Sequence, residues 1–122
     1  MPLRESVFVV DDDPSVRTSI NRLLRGYGFA ATLFDSAGAL FDHGRFENAL
    51  CIVLDINLGG KSGIDVRRRL TECGVTAPVI YITGNDSPAN RAAALASGCI
   101  AYLIKPFAAQ SLIESVERAG VS

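Results

Sequence analysis

Residues 6–16 of this chain read SVFVVDDDPSV. Four apolar residues run directly into three consecutive aspartates, Asp11, Asp12 and Asp13. Two unit charges about 4 Å apart repel by roughly 4 kcal/mol at an effective dielectric of 20. An acidic cluster at the end of a buried strand therefore needs either a compensating charge or a function that uses it.

Apolar runs of the same kind recur at 29–34, 49–54, 78–83 and 99–104. Most are continuous rather than alternating, which is typical of strands covered on both faces. Segments with helical periodicity or cap signals lie between and after them, at 14–28, 36–46, 62–74, 87–98 and 108–120. This alternation predicts an α/β fold, a three-layer α/β/α sandwich around a five-stranded parallel sheet with right-handed crossovers.

The helical segments differ in their apolar faces. Tyr27 ends the apolar stripe predicted for the first helix, and Cys73 lies on the predicted apolar face of the third. The fourth helix is rich in alanine, and Leu95 is its one large apolar residue. We therefore expect the fourth helix to pack only modestly against the rest of the domain.

Length and composition limit the functions that the chain can have. Its 122 residues predict one domain, and a net charge of −1 argues against nucleic-acid binding by this chain. No apolar run approaches a membrane span, and the first residues show no signal-peptide pattern, so we expect a cytoplasmic protein without membrane contact. Three scattered cysteines predict reduced core thiols rather than disulfides or a zinc site.

Polar side chains collect where the predicted strands end. Asp11, Asp12 and Asp13 follow the first strand, and Asp55 and Asn57 follow the third. Thr83 ends the fourth strand, and Lys105 follows the fifth. Because ligands bind beyond the carboxyl ends of parallel strands, we expect these side chains to meet at one edge of the sheet.

This set of residues resembles the receiver domain of two-component response regulators, over about residues 5–119. The resemblance implies one receiver domain at 1–122 with a flavodoxin-like fold and strand order 2-1-3-4-5. It also implies that Asp55 is the phosphorylated aspartate, that Lys105 is the family's lysine, and that Thr83 and Tyr102 form the switch. The peptide bond between Lys105 and Pro106 is usually cis in this family.

The resemblance also implies partners and a cofactor. Asp11, Asp12, Asp55 and the backbone carbonyl of Asn57 are expected to bind Mg²⁺, a hard cation that prefers oxygen ligands. His43 is predicted to be exposed and away from the site, so the phosphoryl donor is expected in trans. The resemblance implies a phosphohistidine on a sensor histidine kinase, or a small acyl phosphate. The chain would catalyse its own phosphotransfer and dephosphorylation without being a conventional enzyme.

The implied output is a change on the face formed by the fourth helix, fifth strand and fifth helix. A receiver homodimer on activation is an expected further partner, and the sequence does not identify the downstream effector. One stretch departs from the family: DINLGG, residues 55–60, has Gly59 where many receivers have proline. Two adjacent glycines should loosen this loop.

Three other functions compete with a phosphorylated receiver domain. A phosphohydrolase of the haloacid-dehalogenase type needs a second aspartate where this chain has Asn57. A flavodoxin-like electron carrier needs a loop rich in Ser, Thr and Gly after the first strand, where this chain has three aspartates. A pseudo-receiver that only docks partners usually lacks a site residue, whereas all are present here, and a phosphorylation assay would separate it.

Overall fold

The computed structural model of the chain describes residues 6–121. Five strands form its main sheet: β1 (Ser6–Val10), β2 (Ala30–Phe34), β3 (Ala49–Asp55), β4 (Val79–Thr83) and β5 (Ala101–Ile104). The strand order is β2-β1-β3-β4-β5, and every neighbouring pair is parallel. The predicted fold class and strand order are therefore confirmed.

Five α-helices connect or follow these strands: α1 (Pro14–Gly26), α2 (Ala37–His43), α3 (Gly63–Glu72), α4 (Pro88–Ser97) and α5 (Ala109–Val121). Helix α2 is shorter than predicted, because Gly44 takes a left-handed conformation with φ of 65° and ends it. A short 3₁₀ helix, Phe46–Asn48, then leads into β3.

The helix starts follow from local chemistry. The Asp13 carboxylate accepts a hydrogen bond from the Ser15 backbone N–H, and Pro14 begins α1. The hydroxyls of three serines cap α2, α3 and α4 in the same way: Ser36, Ser62 and Ser87. Each cap accepts from an amide that the helix itself cannot satisfy.

Two apolar layers cover the two faces of the sheet. On one face, β1 residues Val7 and Val9 pack with side chains of α1 and α5. On the other, Phe8 and Val10 pack with side chains of α2, α3 and α4. Fully burying one such side chain stabilises the fold by about 1.5–3 kcal/mol. The alternation along β1 therefore produces the predicted three layers.

Two apolar positions predicted to pack inward, Tyr27 and Cys73, are exposed instead, and so is Leu95. Tyr27 is 55% exposed and Cys73 is exposed, because both are C-cap residues where the chain has left the helical path. Leu95, the large apolar residue of α4, is 64% exposed, and Ala94 is the buried residue of that helix. The prediction that α4 packs modestly is confirmed.

The thiols differ in their surroundings, so the prediction of three core cysteines is wrong for Cys73. Cys51 lies in β3 and is fully buried, and burial raises the pKa of its thiol to about 12. Cys99 is half-buried, before β5. Within residues 6–121, no helix is both long enough and apolar enough to cross a membrane.

Candidate functional site

The candidate site lies at the carboxyl edge of the main sheet. Asp11 directly follows β1, Asp55 is the last residue of β3, and Thr83 is the last residue of β4. Lys105 directly follows β5. Asp55 thus belongs to the strand rather than to the loop after it, and its backbone pairs with β4, which explains why it is only 3% exposed.

The acidic cluster consists of Asp11, Asp12 and Asp55. One carboxylate oxygen from each lies within 4.8 Å of the other two. Asp11 and Asp55 are buried, whereas Asp12 is exposed. Oδ1 of Asp11 accepts a hydrogen bond of 2.9 Å from the backbone N–H of Asp13. The cluster therefore combines two desolvated carboxylates with one that faces solvent.

Lys105 supplies a positive charge that compensates the acidic cluster. Its Nζ lies 2.8 Å from Oδ2 of Asp11 and 3.2 Å from Oδ2 of Asp55. Burial alone would lower the pKa of Lys105, but the hydrogen bonds and charges of Asp11 and Asp55 outweigh burial and raise it. Lys105 is therefore a cation at neutral pH and bridges two carboxylates.

The environment of Asp55 changes the pKa of its carboxyl group. Burial raises its pKa to about 6, the backbone N–H of Asn57 opposes this rise, and the charge of Asp11 adds to it. That N–H donates to Oδ1 of Asp55 at 3.0 Å. At neutral pH the group is still mostly ionised, so it retains the charge that a carboxylate nucleophile or a metal ligand needs.

Arg17 braces the turn between β1 and α1. Its guanidinium donates a hydrogen bond of 2.6 Å to the backbone carbonyl of Asp11. Arg17 lies in the first half of α1, so this contact ties the start of the helix to the turn that carries Asp11 and Asp12. Sequence analysis did not assign this residue a role, since nothing in the spacing indicates a contact with a backbone oxygen.

The loop after β3 forms a small hairpin. Asn57 and Leu58 pair in antiparallel fashion with Ser62 and Lys61. Gly59 and Gly60 form the turn, with φ of 52° and 91°. Two positive φ values in a two-residue turn are typical of a tight hairpin, for which glycine pairs are favoured. The glycine pair therefore has a geometric role in addition to the loosening expected from the sequence.

Gly63 allows α3 to begin against the backbone of Asp55. A Cβ atom at Gly63 would overlap the carbonyl oxygen of Asp55 and lie 3.0 Å from the Cα of Ile56. The Gly63 N–H donates a 2.7 Å hydrogen bond to the Ile56 carbonyl. The sequence does not indicate this role of Gly63, whose one visible signal is a glycine at the first position of a well-capped helix.

The two predicted switch residues lie in different surroundings. Thr83 is fully buried, and its Oγ1 accepts a hydrogen bond of 3.0 Å from the backbone N–H of Asn85. Tyr102 lies apart from the acidic cluster, because its hydroxyl donates to Oδ1 of Asp86 at 2.9 Å. The peptide bond between Lys105 and Pro106 is cis, as the resemblance implied.

The structure thus brings Asp11, Asp12, Asp55 and Lys105 together. The backbone N–H of Lys105 also donates to the Thr83 carbonyl at 2.8 Å, which fixes β5 beside β4. Asn57 contributes its backbone at the edge of the cluster. His43 is exposed on α2, with its ring 5.3 Å from that of Phe8, and is not part of the site.

Comparison with known proteins decides the family. The sequence pattern of the response regulator receiver domain matches residues 7–117. This chain belongs to the receiver domain family. The family assignment removes the phosphohydrolase and electron-carrier alternatives, and it agrees with the acidic cluster at the carboxyl edge of the sheet.

Individual relatives and solved structures agree with this assignment. The receiver is 36% identical to nodulation protein W of Bradyrhizobium diazoefficiens over 110 residues, which is 90% of this chain and 48% of that protein. A structure of the response regulator StyR is 38% identical, with a TM-score of 0.87, over 95% of this chain and 59% of that one. The structure of FixJ-N is 30% identical, with a TM-score of 0.87, over 99% of this chain and 96% of that one. The receiver spans about half the length of the curated relatives it matches.

Proposed function

We propose that residues 1–122 form a single receiver domain that accepts a phosphoryl group on Asp55 from a phosphohistidine of a sensor histidine kinase. The observation that carries the proposal is the position of Asp55. It is a buried, mostly ionised carboxylate within 4.8 Å of Asp11 and Asp12 oxygens and 3.2 Å from the ammonium group of Lys105. Nucleophile and charge-stabilising groups are therefore already assembled at one edge of the sheet.

The donor set fits Mg²⁺. Asp11, Asp12 and Asp55 offer hard oxygen atoms close together, and the carbonyl of Asn57 would complete the protein's share of ligands. Cysteine and histidine are absent from the described cluster. A bound cation would supply positive charge that offsets the three carboxylates and admits an anionic phosphate.

The proposed step is a direct transfer. An oxygen of the Asp55 carboxylate attacks phosphorus, and the bond from phosphorus to the donor's nitrogen, or to the oxygen of a small acyl phosphate, breaks. The leaving group keeps the bonding electron pair. Catalysis of this kind consists mostly of positioning and charge stabilisation. Lys105 supplies positive charge, and the Thr83 hydroxyl can donate to a phosphoryl oxygen once it turns toward Asp55.

The proposed response is a change at the surface. When Thr83 moves toward the phosphoryl group, Tyr102 can turn into the space that it leaves, and the face formed by α4, β5 and α5 changes shape. That face would then bind a second receiver or an effector, the latter lying on the same chain in a longer protein or on a separate one. The modest packing of α4, which exposes Leu95, supports a movable element here.

The alternative is a pseudo-receiver that binds partners without phosphorylation. Incubation with acetyl phosphate and Mg²⁺ separates the two. We expect one phosphoryl group per chain, lost on treatment with hydroxylamine, and none in Asp55→Asn. Asp35→Asn is the matched control, because Asp35 is an exposed aspartate that directly follows β2. Full labelling of Asp55→Asn would refute the proposed acceptor, and an unlabelled native chain would favour the pseudo-receiver.

A further inference from the structure

Tyr102 is held in a closed triangle of side chains. Its hydroxyl donates to Oδ1 of Asp86 at 2.9 Å, and Nη2 of Arg91 donates to Oδ2 of the same carboxylate at 2.9 Å. The Arg91 guanidinium carbon also lies 5.2 Å from the centre of the Tyr102 ring. The three residues come from β5, the loop between β4 and α4, and α4 itself. Each side chain of the triangle thus contacts the other two.

We propose that Asp86 and Arg91 are positioning residues that hold the half-buried Tyr102 side chain against Asp86 and thereby restrain phosphorylation of Asp55. This inference rests on the proposed function, since it concerns the regulation of the same site. The triangle of Asp86, Arg91 and Tyr102 is called the latch below. It gives the switch tyrosine a specific partner in the unphosphorylated state, so a turn of the ring toward the space left by Thr83 must compete with that partner.

The contacts of the latch are weak enough to break and re-form as Tyr102 changes orientation. Arg91 and Asp86 side chains are 52% and 33% exposed, and an exposed ion pair contributes little by itself. The carboxylate, however, accepts from two donors at once, and the guanidinium also faces an aromatic ring. The hydrogen bonds from Arg91 and then Tyr102 lower the pKa of Asp86, which keeps it an anion. Such a latch can bias a population and still be released.

The same loop connects the latch to Thr83. The Asn85 N–H donates to Thr83 Oγ1, and the Asn85 carbonyl accepts a hydrogen bond of 3.0 Å from the side chain of Asn90 on α4. Asp86 is the next residue. A movement of Thr83 toward a phosphoryl group would therefore displace the segment that carries Asp86. Because coupling between two sites is reciprocal, releasing the latch should in turn favour the phosphorylated state.

The first test needs no phosphorylation. Tyrosine labelled with carbon-13 at Cζ gives a ring signal whose Tyr102 component is assigned by its loss in Tyr102→Phe. Burial raises the pKa of Tyr102, and the hydrogen bond and charge of Asp86 raise it further. We expect Asp86→Ala to shift this signal and lower that pKa, and Asp86→Asn to lower it by less, because the amide oxygen can still accept a hydrogen bond.

The matched control is Asp65→Ala. Asp65 forms a comparable exposed ion pair with Arg68 on α3, at 3.1 Å, without contact to Tyr102. We expect its Tyr102 signal and pKa to equal those of the native chain. If Asp86→Ala and Arg91→Ala also leave the Tyr102 signal and pKa unchanged, the two residues do not position Tyr102 and the inference is wrong.

The second test measures the rate of phosphorylation by acetyl phosphate. We expect Asp86→Ala and Arg91→Ala to be labelled about fivefold faster than the native chain and Asp65→Ala, the factor that corresponds to about 1 kcal/mol. Equal rates in all four chains would refute the restraint on phosphorylation. Absence of label from every chain would instead contradict the proposed function, and the Tyr102 signal would still decide whether the latch positions the ring.

Discussion

The ammonium of Lys105 and the buried carboxylate of Asp11 lie 2.8 Å apart, although 94 residues separate them in sequence. Asp11 follows the interior strand β1, and Lys105 follows the edge strand β5. Their contact therefore spans the carboxyl ends of the two strands between them, β3, whose last residue is Asp55, and β4, whose last residue is Thr83. This ion pair offsets the charge repulsion expected for the three consecutive aspartates.

Replacing Lys105 should show how much the acidic cluster destabilises the fold when its compensating charge is removed. We expect Lys105→Gln to destabilise the metal-free fold by about 2–4 kcal/mol, because breaking a buried pair leaves carboxylates without a compensating charge. Mg²⁺ should recover part of that loss. Lys61→Gln is the control, since Lys61 is the only other lysine and is exposed. Urea unfolding with and without Mg²⁺ measures the loss of stability in each variant and its recovery by the cation. An equal loss of stability in Lys105→Gln and Lys61→Gln would contradict the role of Lys105.

The raised pKa of Asp55 predicts a pH dependence of stability. The native carboxyl has a pKa of about 6, whereas an unfolded aspartate has one of about 3.9. The native state therefore binds the proton more tightly, so the contribution of Asp55 to stability falls as pH rises from about 4 through 6. The difference amounts to about 2–3 kcal/mol.

This dependence can be isolated by comparison with Asp55→Asn in the presence of a chelator. We expect the stability of the native chain relative to Asp55→Asn to decrease between about pH 4 and pH 6.5 and to level off above that. Carbon-13 signals of the Asp55 carboxyl should show the titration directly. A midpoint near the unfolded value would mean that burial does not govern this carboxyl.

Gly63 should tolerate no side chain. In Gly63→Ala the new Cβ meets the Asp55 carbonyl, so α3 or the end of β3 must move. We expect a loss of at least about 2 kcal/mol, consistent with overpacking against backbone, and weaker Mg²⁺ binding. Gly26→Ala is the control, because a Cβ there meets nothing within 4 Å. It should be neutral or slightly stabilising in thermal unfolding, and a similar loss in both variants would contradict this reading of Gly63.

The sequence predicted the parts of the site that depend on strand ends. Continuous apolar runs located each strand of the main sheet, and the polar residues after them then had to share one edge, which placed Asp11, Asp55 and Lys105 together. It did not predict Gly63, because its role depends on the Asp55 backbone several residues away. Nor could it predict that Cys73 leaves the core, since the break from helical geometry at a C-cap is a local backbone property.

The orientation of Tyr102 could not be predicted from the sequence either. Its position depends on a carboxylate from one loop and a guanidinium from a neighbouring helix, and no spacing rule connects Asp86, Arg91 and Tyr102. The cap residues were easier, because an N-cap serine or aspartate bonds to an amide only two or three residues away. Local chemistry was therefore predictable, and contacts between elements were predictable only where the sheet imposed them.

Thr83 should couple phosphorylation to the surface without being required for it. We expect Thr83→Ala to accept phosphate but to show little change in the amide NMR signals of residues 84–107, because no hydroxyl draws the loop toward Asp55. Thr83→Ser keeps the hydroxyl and should restore the change. A full native pattern in Thr83→Ala, including Tyr102, would show that the hydroxyl is not the coupling group.

If Asp55 is the phosphoacceptor, the modification must lie on this residue, and chemical reduction followed by mass spectrometry can locate it. After reaction with acetyl phosphate and Mg²⁺, borohydride reduces an aspartyl phosphate to homoserine, which peptide mass spectrometry can place on a single residue. We expect homoserine at Asp55 and at no other aspartate. Homoserine at Asp11, Asp12 or Asp13, or its absence from a folded chain that binds Mg²⁺, would contradict it.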